Sequence, residues 1–100
     1  MAAPQYDFAA QLWVHDGPAA WYFISLPENI SDEIEALQGP KSRGFGSVRV
    51  EVTIGSSIWK TSIFPDNKRA TYILPVKKAV RTKEQLVDGA VVTVALHLID

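Results

Sequence analysis

The chain has 100 residues, 47% of them hydrophobic, a net charge of −1 and no cysteine. Length and apolar content fit one domain, residues 1–100, around a single core. The lack of cysteine excludes disulfides and thiolate metal sites, and no run approaches the roughly 18 apolar residues of a membrane span. The N-terminal MAAPQYDF has no basic stretch followed by an apolar core, so a cytoplasmic setting is expected.

Charge is uneven along the chain. Residues 1–50 hold three basic side chains against six acidic ones, and residues 51–100 hold seven against five. Most of the second-half charge lies in Lys77, Lys78, Arg81 and Lys83.

Phe8, Ala10, Leu12 and Val14 alternate with Ala9, Gln11, Trp13 and His15, the period of a strand with one face in a core. A first strand over 6–15 follows. Asp16, Gly17 and Pro18 supply turn chemistry, and the aromatic and β-branched run 20–26 ends at Pro27, so the two segments form a hairpin. From Ile30 the period changes. Ile30, Ile34 and Leu37 form one apolar stripe opposite Asp32, Glu33 and Glu35, a helix with Asn29 or Ser31 as its cap and Gly39–Pro40 as its end.

After the loop 40–46, Val48, Val50, Val52 and Ile54 alternate with Arg49, Glu51 and Thr53 in the clearest strand of the chain. Gly55, Ser56 and Ser57 turn it into a partner over 58–64, and the turn 65–68 leads to a strand over 70–76. A helix over 77–86 carries the basic cluster outward, with Val76, Val80 and Leu86 inward. Asp88 and Gly89 turn into a last strand over 90–99.

The order is therefore ββαβ twice, with pseudo-repeats over roughly 6–54 and 57–99. YFISLP (22–27) is echoed by YILP (72–75), and GSVRVEVTI (46–54) by GAVVTVALHL (89–98). Two such units without a strong helical layer favour an α+β, mostly β, barrel of about six strands and two short helices, because closure removes exposed sheet edges.

RGFGSVRVEVTIG, WKTSIFPD, YILPVKKAVR and the Asp-Gly turn before VVTV occur in an order that resembles the bacterial domain of unknown function 1905 family, from about Tyr6 to Leu98. The resemblance implies a double-split β-barrel, distantly similar to the swapped-hairpin barrels of transition-state regulators and antitoxins. It implies no activity and no catalytic residues.

For function, the cluster Lys77, Lys78, Arg81 and Lys83 concentrates cations that could meet phosphates, although a solvated helix face is the ordinary role of such a run. Arg43, in a loop with Lys41, Gly44, Phe45 and Gly46, is a second candidate anion or partner contact, without the GK[ST] ending of a phosphate loop. Of three tryptophans most are expected in the core. Trp13, in phase with Gln11 and His15, is the candidate aromatic contact, unless a helix covers it.

His15 and His97 lack a metal-ligand spacing, and no serine lies in a GxSxG elbow. No cofactor and no enzymatic activity are expected. Asp66 and Asp88 read as turn residues binding nearby backbone amides. The net charge and the acidic first helix weigh against duplex DNA, so the expected function is a binding or protein-interaction module. Nucleic-acid binding through 77–83 and small-molecule or anion binding are the alternatives.

Overall fold

A computed structural model describes residues 5–17, 20–38 and 46–99. Its elements run β1 (Gln5–His15), β2 (Trp21–Ser25), α1 (Glu28–Gln38), β3 (Val48–Ile54), β4 (Ser57–Asp66), β5 (Thr71–Pro75), α2 (Lys78–Glu84) and β6 (Val91–Leu98). All strand pairs are antiparallel, and the sheet closes in the order β1-β2-β5-β4-β3-β6. Every strand therefore has two neighbours in the ring.

The two long strands make closure possible because each serves two neighbours in succession. Residues Gln5–Gln11 of β1 pair with β6, and Leu12–His15 pair with β2. Residues Ser57–Ile63 of β4 pair with β3, and Phe64–Asp66 pair with β5. The changeover residues Leu12 and Ile63 are both fully buried. Burial of side chains this size contributes about 1.5–3 kcal/mol each, which pins both changeovers to the core.

Exchanging β1 with β4, β2 with β5 and β3 with β6 returns the same ring of neighbours. At the β2–β5 seam the hydrogen bonds show the same reciprocity. Leu26 N–H donates to the Tyr72 carbonyl and Val76 N–H to the Tyr22 carbonyl, both at 2.9 Å, on either side of the facing pair Ile24 and Leu74. The echo in β3 and β6 is offset from its glycines. Val48, Val50, Val52 and Ile54 are buried in β3, and Val92, Val94, Leu96 and Leu98 in β6. Those positions match only at even spacing, whereas alignment on Gly46 and Gly89 is odd and would turn one strand inside out.

The core inside the ring is built from Ile24, Leu74, Val50, Val52, Val94 and Leu96 with the changeover residues. Each helix covers part of the barrel, α1 against β5 and α2 against β4. Ile34 and Val80 are the buried helical anchors. Leu37 departs from its expected place: it is 54% exposed, because α1 buries only the stripe through Ser31 and Ile34. Asn29 lies within α1, which begins at Glu28, and Ser31 is not a cap either. It lies inside α1, where its Oγ accepts the Tyr72 backbone N–H at 3.0 Å and ties the helix to β5. Gly39 and Pro40, expected to end this helix, and Pro18 of the first turn lie outside the described residues.

The second helix is shorter than its pattern suggested. Lys77 is an extended N-cap and Gln85 a left-handed C-cap at φ 57°, so the helix spans two turns. Leu86 follows it and packs on the core. Its Glu84 carboxylate accepts Ser57 Oγ–H at 2.8 Å and Ser56 Oγ–H at 3.1 Å, which fastens the helix to the β3–β4 turn. The hydrogen bond from Ser57, before that from Ser56, holds Glu84 below its usual carboxylate range. Gly55, at φ 58°, lets that turn approach, since a Cβ there would collide with the same carboxylate.

Candidate ligand-binding groove beside the second helix

Three parts of the chain meet beside α2. β2 supplies Trp21 and Tyr22, β4 supplies Trp59, Lys60 and Thr61, and the β5–α2 corner supplies Pro75 through Lys78 with Arg81. They enclose an open groove of about 520 Å³. A second groove continues from it past Trp59 and Lys77, which line both, to Lys83 and Ser57. Neither lining contains a carboxylate.

Arg81 is held in place rather than free. Its guanidinium lies 3.8 Å over the Tyr22 ring, and its Nε–H donates to the Val76 carbonyl at 3.2 Å. Tyr22 and Val76 are themselves hydrogen bonded across the β2–β5 seam. The charge therefore sits at a fixed point of the barrel, with lost side-chain entropy already spent on folding.

The lysines carry a different message. Arg81 and Lys83 lie in the last turn of α2, where cations complement the helix dipole, but Lys77 and Lys78 flank its positive end. The first turn has no acidic residue and Lys77 makes no side-chain capping bond. A helix built for stability alone places Asp, Ser or Glu there, as α1 does with Glu28. Among the described residues, Lys60, Lys77 and Lys78 pair with no carboxylate within 4.0 Å. Lys60 stands opposite Glu51 in the β3–β4 register, but Glu51 Oε1 meets His97 Nε2 at 3.1 Å.

The structure thus brings Lys77, Lys78 and Arg81 together in one groove and puts Lys83 in the adjoining one. Arg43 lies outside the described residues. Trp13 sits on the outer barrel face as its alternation implied, yet among the described residues no helix covers it. Its ring packs 5.1 Å from Phe23 and lies under Arg69 at 4.0 Å, while its Nε1–H donates to Ser25 Oγ at 2.9 Å. Trp21, expected in the core, is 56% exposed and stacks on Phe23 at 6.2 Å. Sequence reasoning missed it because apolar residues occupy both faces of β2, so alternation gives no phase. Pairing does: Trp21 faces His15 and Phe23 faces Trp13, which places both aromatics on the outer surface. Lys60 was missed because only register brings it beside α2.

The other flank is acidic. A groove of about 300 Å³ between α1 and the β4–β5 turn is lined by Asp32, Glu35 and Asp66, with the unpartnered Thr71 Oγ1 in its wall. As its turn context implied, Asp66 accepts the Lys68 backbone N–H at 3.1 Å, and it also takes Arg69 at 2.8 Å. Burial alone would raise Asp66, but the bond from Arg69 and that backbone amide together hold it below the usual carboxylate range. Near α1, Tyr6 Oη–H donates to Glu33 at 2.9 Å, and burial, reinforced by Glu33, pushes the phenol up to about 12. Among the described residues no three His, Cys, Asp or Glu side chains converge as metal ligands, and no helix is long and apolar enough to cross a membrane.

No match was found among curated proteins. The family model of the domain of unknown function 1905 matches residues 8–96, from β1 through β6, and the chain belongs to that family.

Proposed function

We propose that this barrel is a binding module whose site is the groove beside α2, and that it holds an anionic ligand bearing a flat apolar portion. The observation that carries the reading is the placement of Lys77 and Lys78 at the electrostatically unfavourable end of a short helix, beside Lys60, a pre-positioned Arg81 and an exposed Trp21. Charge set against local stability has a use when a ligand neutralises it. About 520 Å³ is within the range of small-molecule sites, and aromatic walls with a few fixed charges are their usual chemistry.

The groove supplies charge and flat surface, and its proposed role is binding without turnover. The bacterial and double-split-barrel setting implied by the family resemblance, and the cytoplasmic setting expected from the N-terminal sequence, are part of this reading. Titration of the purified protein with pyrophosphate and with a nucleoside monophosphate tests it, followed by amide shifts. Saturable shifts confined to 20–22, 59–61 and 75–81, weakened by salt, are expected. No shift at millimolar ligand would overturn the proposal.

A second reading rests on a separate observation. Ile58 and Phe64 are large, apolar and 64% and 42% exposed on β4, which suits a protein partner. Capture of a defined partner that is lost in Ile58→Ser and Phe64→Ser, with pyrophosphate without effect, would favour it over the groove.

A further inference from the structure

The α2 groove is one end of a longer track. Beyond Trp21, the Trp21–Phe23 stack leads across the outer face of β2 to a third groove of about 500 Å³, walled by Trp13 and Phe23 and flanked by Lys68 and Arg69. Eight Lys and Arg side chains fall among the described residues. Lys60, Lys77, Lys78 and Arg81 line the first groove and Lys83 the second. Lys68 and Arg69 line the third, so Arg49 alone stands apart. The single carboxylate in all three linings is Asp66, bound to Arg69 at 2.8 Å. A net charge of −1 conceals this, because Glu28, Asp32, Glu33 and Glu35 are gathered on α1.

From this juxtaposition we infer that the track binds single-stranded nucleic acid, phosphates along the cations and a base against the exposed Trp21 ring. The inference rests on the reading of the α2 groove as a binding site and extends it to a polymer. Two features select a single strand. Trp21 offers an open ring face, and base faces are available for stacking only where they are unpaired. The cations follow a strip interleaved with aromatics, whereas duplex affinity comes from a broad phosphate-facing surface. Arg69 over Trp13 and Arg81 over Tyr22 hold two of the charges in register with the strip.

Fluorescence anisotropy of the full chain with labelled octathymidylate and octauridylate tests the inference, beside a duplex, thymidine monophosphate and an octaglutamate peptide. An octamer binding at least tenfold tighter than the mononucleotide, and tighter than duplex and peptide, is expected. Trp21→Ala, at an exposed position, should weaken the octamer about tenfold, the scale of one base–aromatic stack, while circular dichroism stays unchanged. Lys77→Ala with Lys78→Ala should flatten the slope of log affinity against log salt by about 1.4, the amount for two phosphate contacts on a single strand. Mononucleotide binding with no gain for the octamer would sink the inference and leave the groove standing, and binding by neither would sink both. Equal or tighter binding of duplex or of the acidic peptide would overturn the single-strand assignment.

Discussion

The two helices fill matching places in the two ββαβ halves, yet they differ in how much they bury and are charged in opposite ways. The first is anchored by Ile34 in the core, by Ser31 Oγ on the Tyr72 amide and by the Glu33 carboxylate on the Tyr6 phenol, and shows solvent an acidic face. The second is anchored by one small apolar side chain, Val80, and by the Glu84 carboxylate on two serines. Its one acidic group is thus spent on attachment, and its exposed positions carry cations. The difference teaches that a repeated scaffold can hold fold and site apart: one copy of the helix carries more of the packing, and the other is left free to face a ligand.

The contrast in anchoring can be broken at the apolar contacts first. Ile34→Ala removes a fully buried side chain and is expected to cost about 2–5 kcal/mol in urea unfolding. Val80→Ala removes a smaller side chain that is 4% exposed and should cost about 2 kcal/mol. A larger loss at Val80 would reverse the assignment of the two helices.

The polar anchors come next. Ser31→Ala strands the Tyr72 N–H in a buried site and should cost about 1–3 kcal/mol. Gly55→Ala forces a Cβ into the left-handed region, about 1–2 kcal/mol, and displaces Glu84 from Ser56 and Ser57. Because Glu84 is the free end of a flexible chain, it can swing away. The loss at Gly55 should then shrink in a Glu84→Gln background, a coupling that a double-mutant cycle measures.

The Tyr6–Glu33 and Glu84–Ser57 attachments of the two helices should also fail at opposite ends of the pH scale. The Tyr6 phenol is raised from 10.0 to about 12, first by burial and then by Glu33, so the folded state favours its protonated form. Its contribution is fully present below pH 10 and is lost as pH rises toward 12. Tyr6→Phe should flatten the alkaline limb of stability. Glu84 is lowered from 4.5, chiefly by Ser57, so its contribution is present above that pH and lost on acidification. Glu84→Gln should flatten part of the acid limb and leave the alkaline limb alone.

How much of this was legible follows from which forces are local. β3 was readable to the residue because Val48, Val50, Val52 and Ile54 alternate strictly with polar partners. The ββαβ order was readable because turn residues punctuate it. The closing pairs β2–β5 and β3–β6 were not, since they join segments far apart in the chain and leave no short-range trace. The site shows the same division. Lys77, Lys78 and Arg81 are visible as a run, whereas Lys60 and Trp21 join them only through register, and Trp13 meets Arg69 only through closure. Leu37 misled because helical periodicity reports a stripe, while burial depends on how wide a partner surface the barrel offers.

The smallest expected effect bears most directly on whether the basic flank is built for binding. Arg81 contributes to the fold through the Tyr22 ring and the Val76 carbonyl, and Arg81→Ala should cost only about 0.5–1 kcal/mol, the range of an exposed cation–π contact. Lys78→Glu should do the opposite, since a carboxylate in the first turn of α2 complements the helix dipole and is worth about 0.3–1 kcal/mol. Stability gained together with anion affinity lost, in one variant measured by urea unfolding and by pyrophosphate titration, is the signature of charge kept for a ligand. If Lys78→Glu is instead destabilising, the lysine serves the fold, and the asymmetry between the helices is one of packing alone.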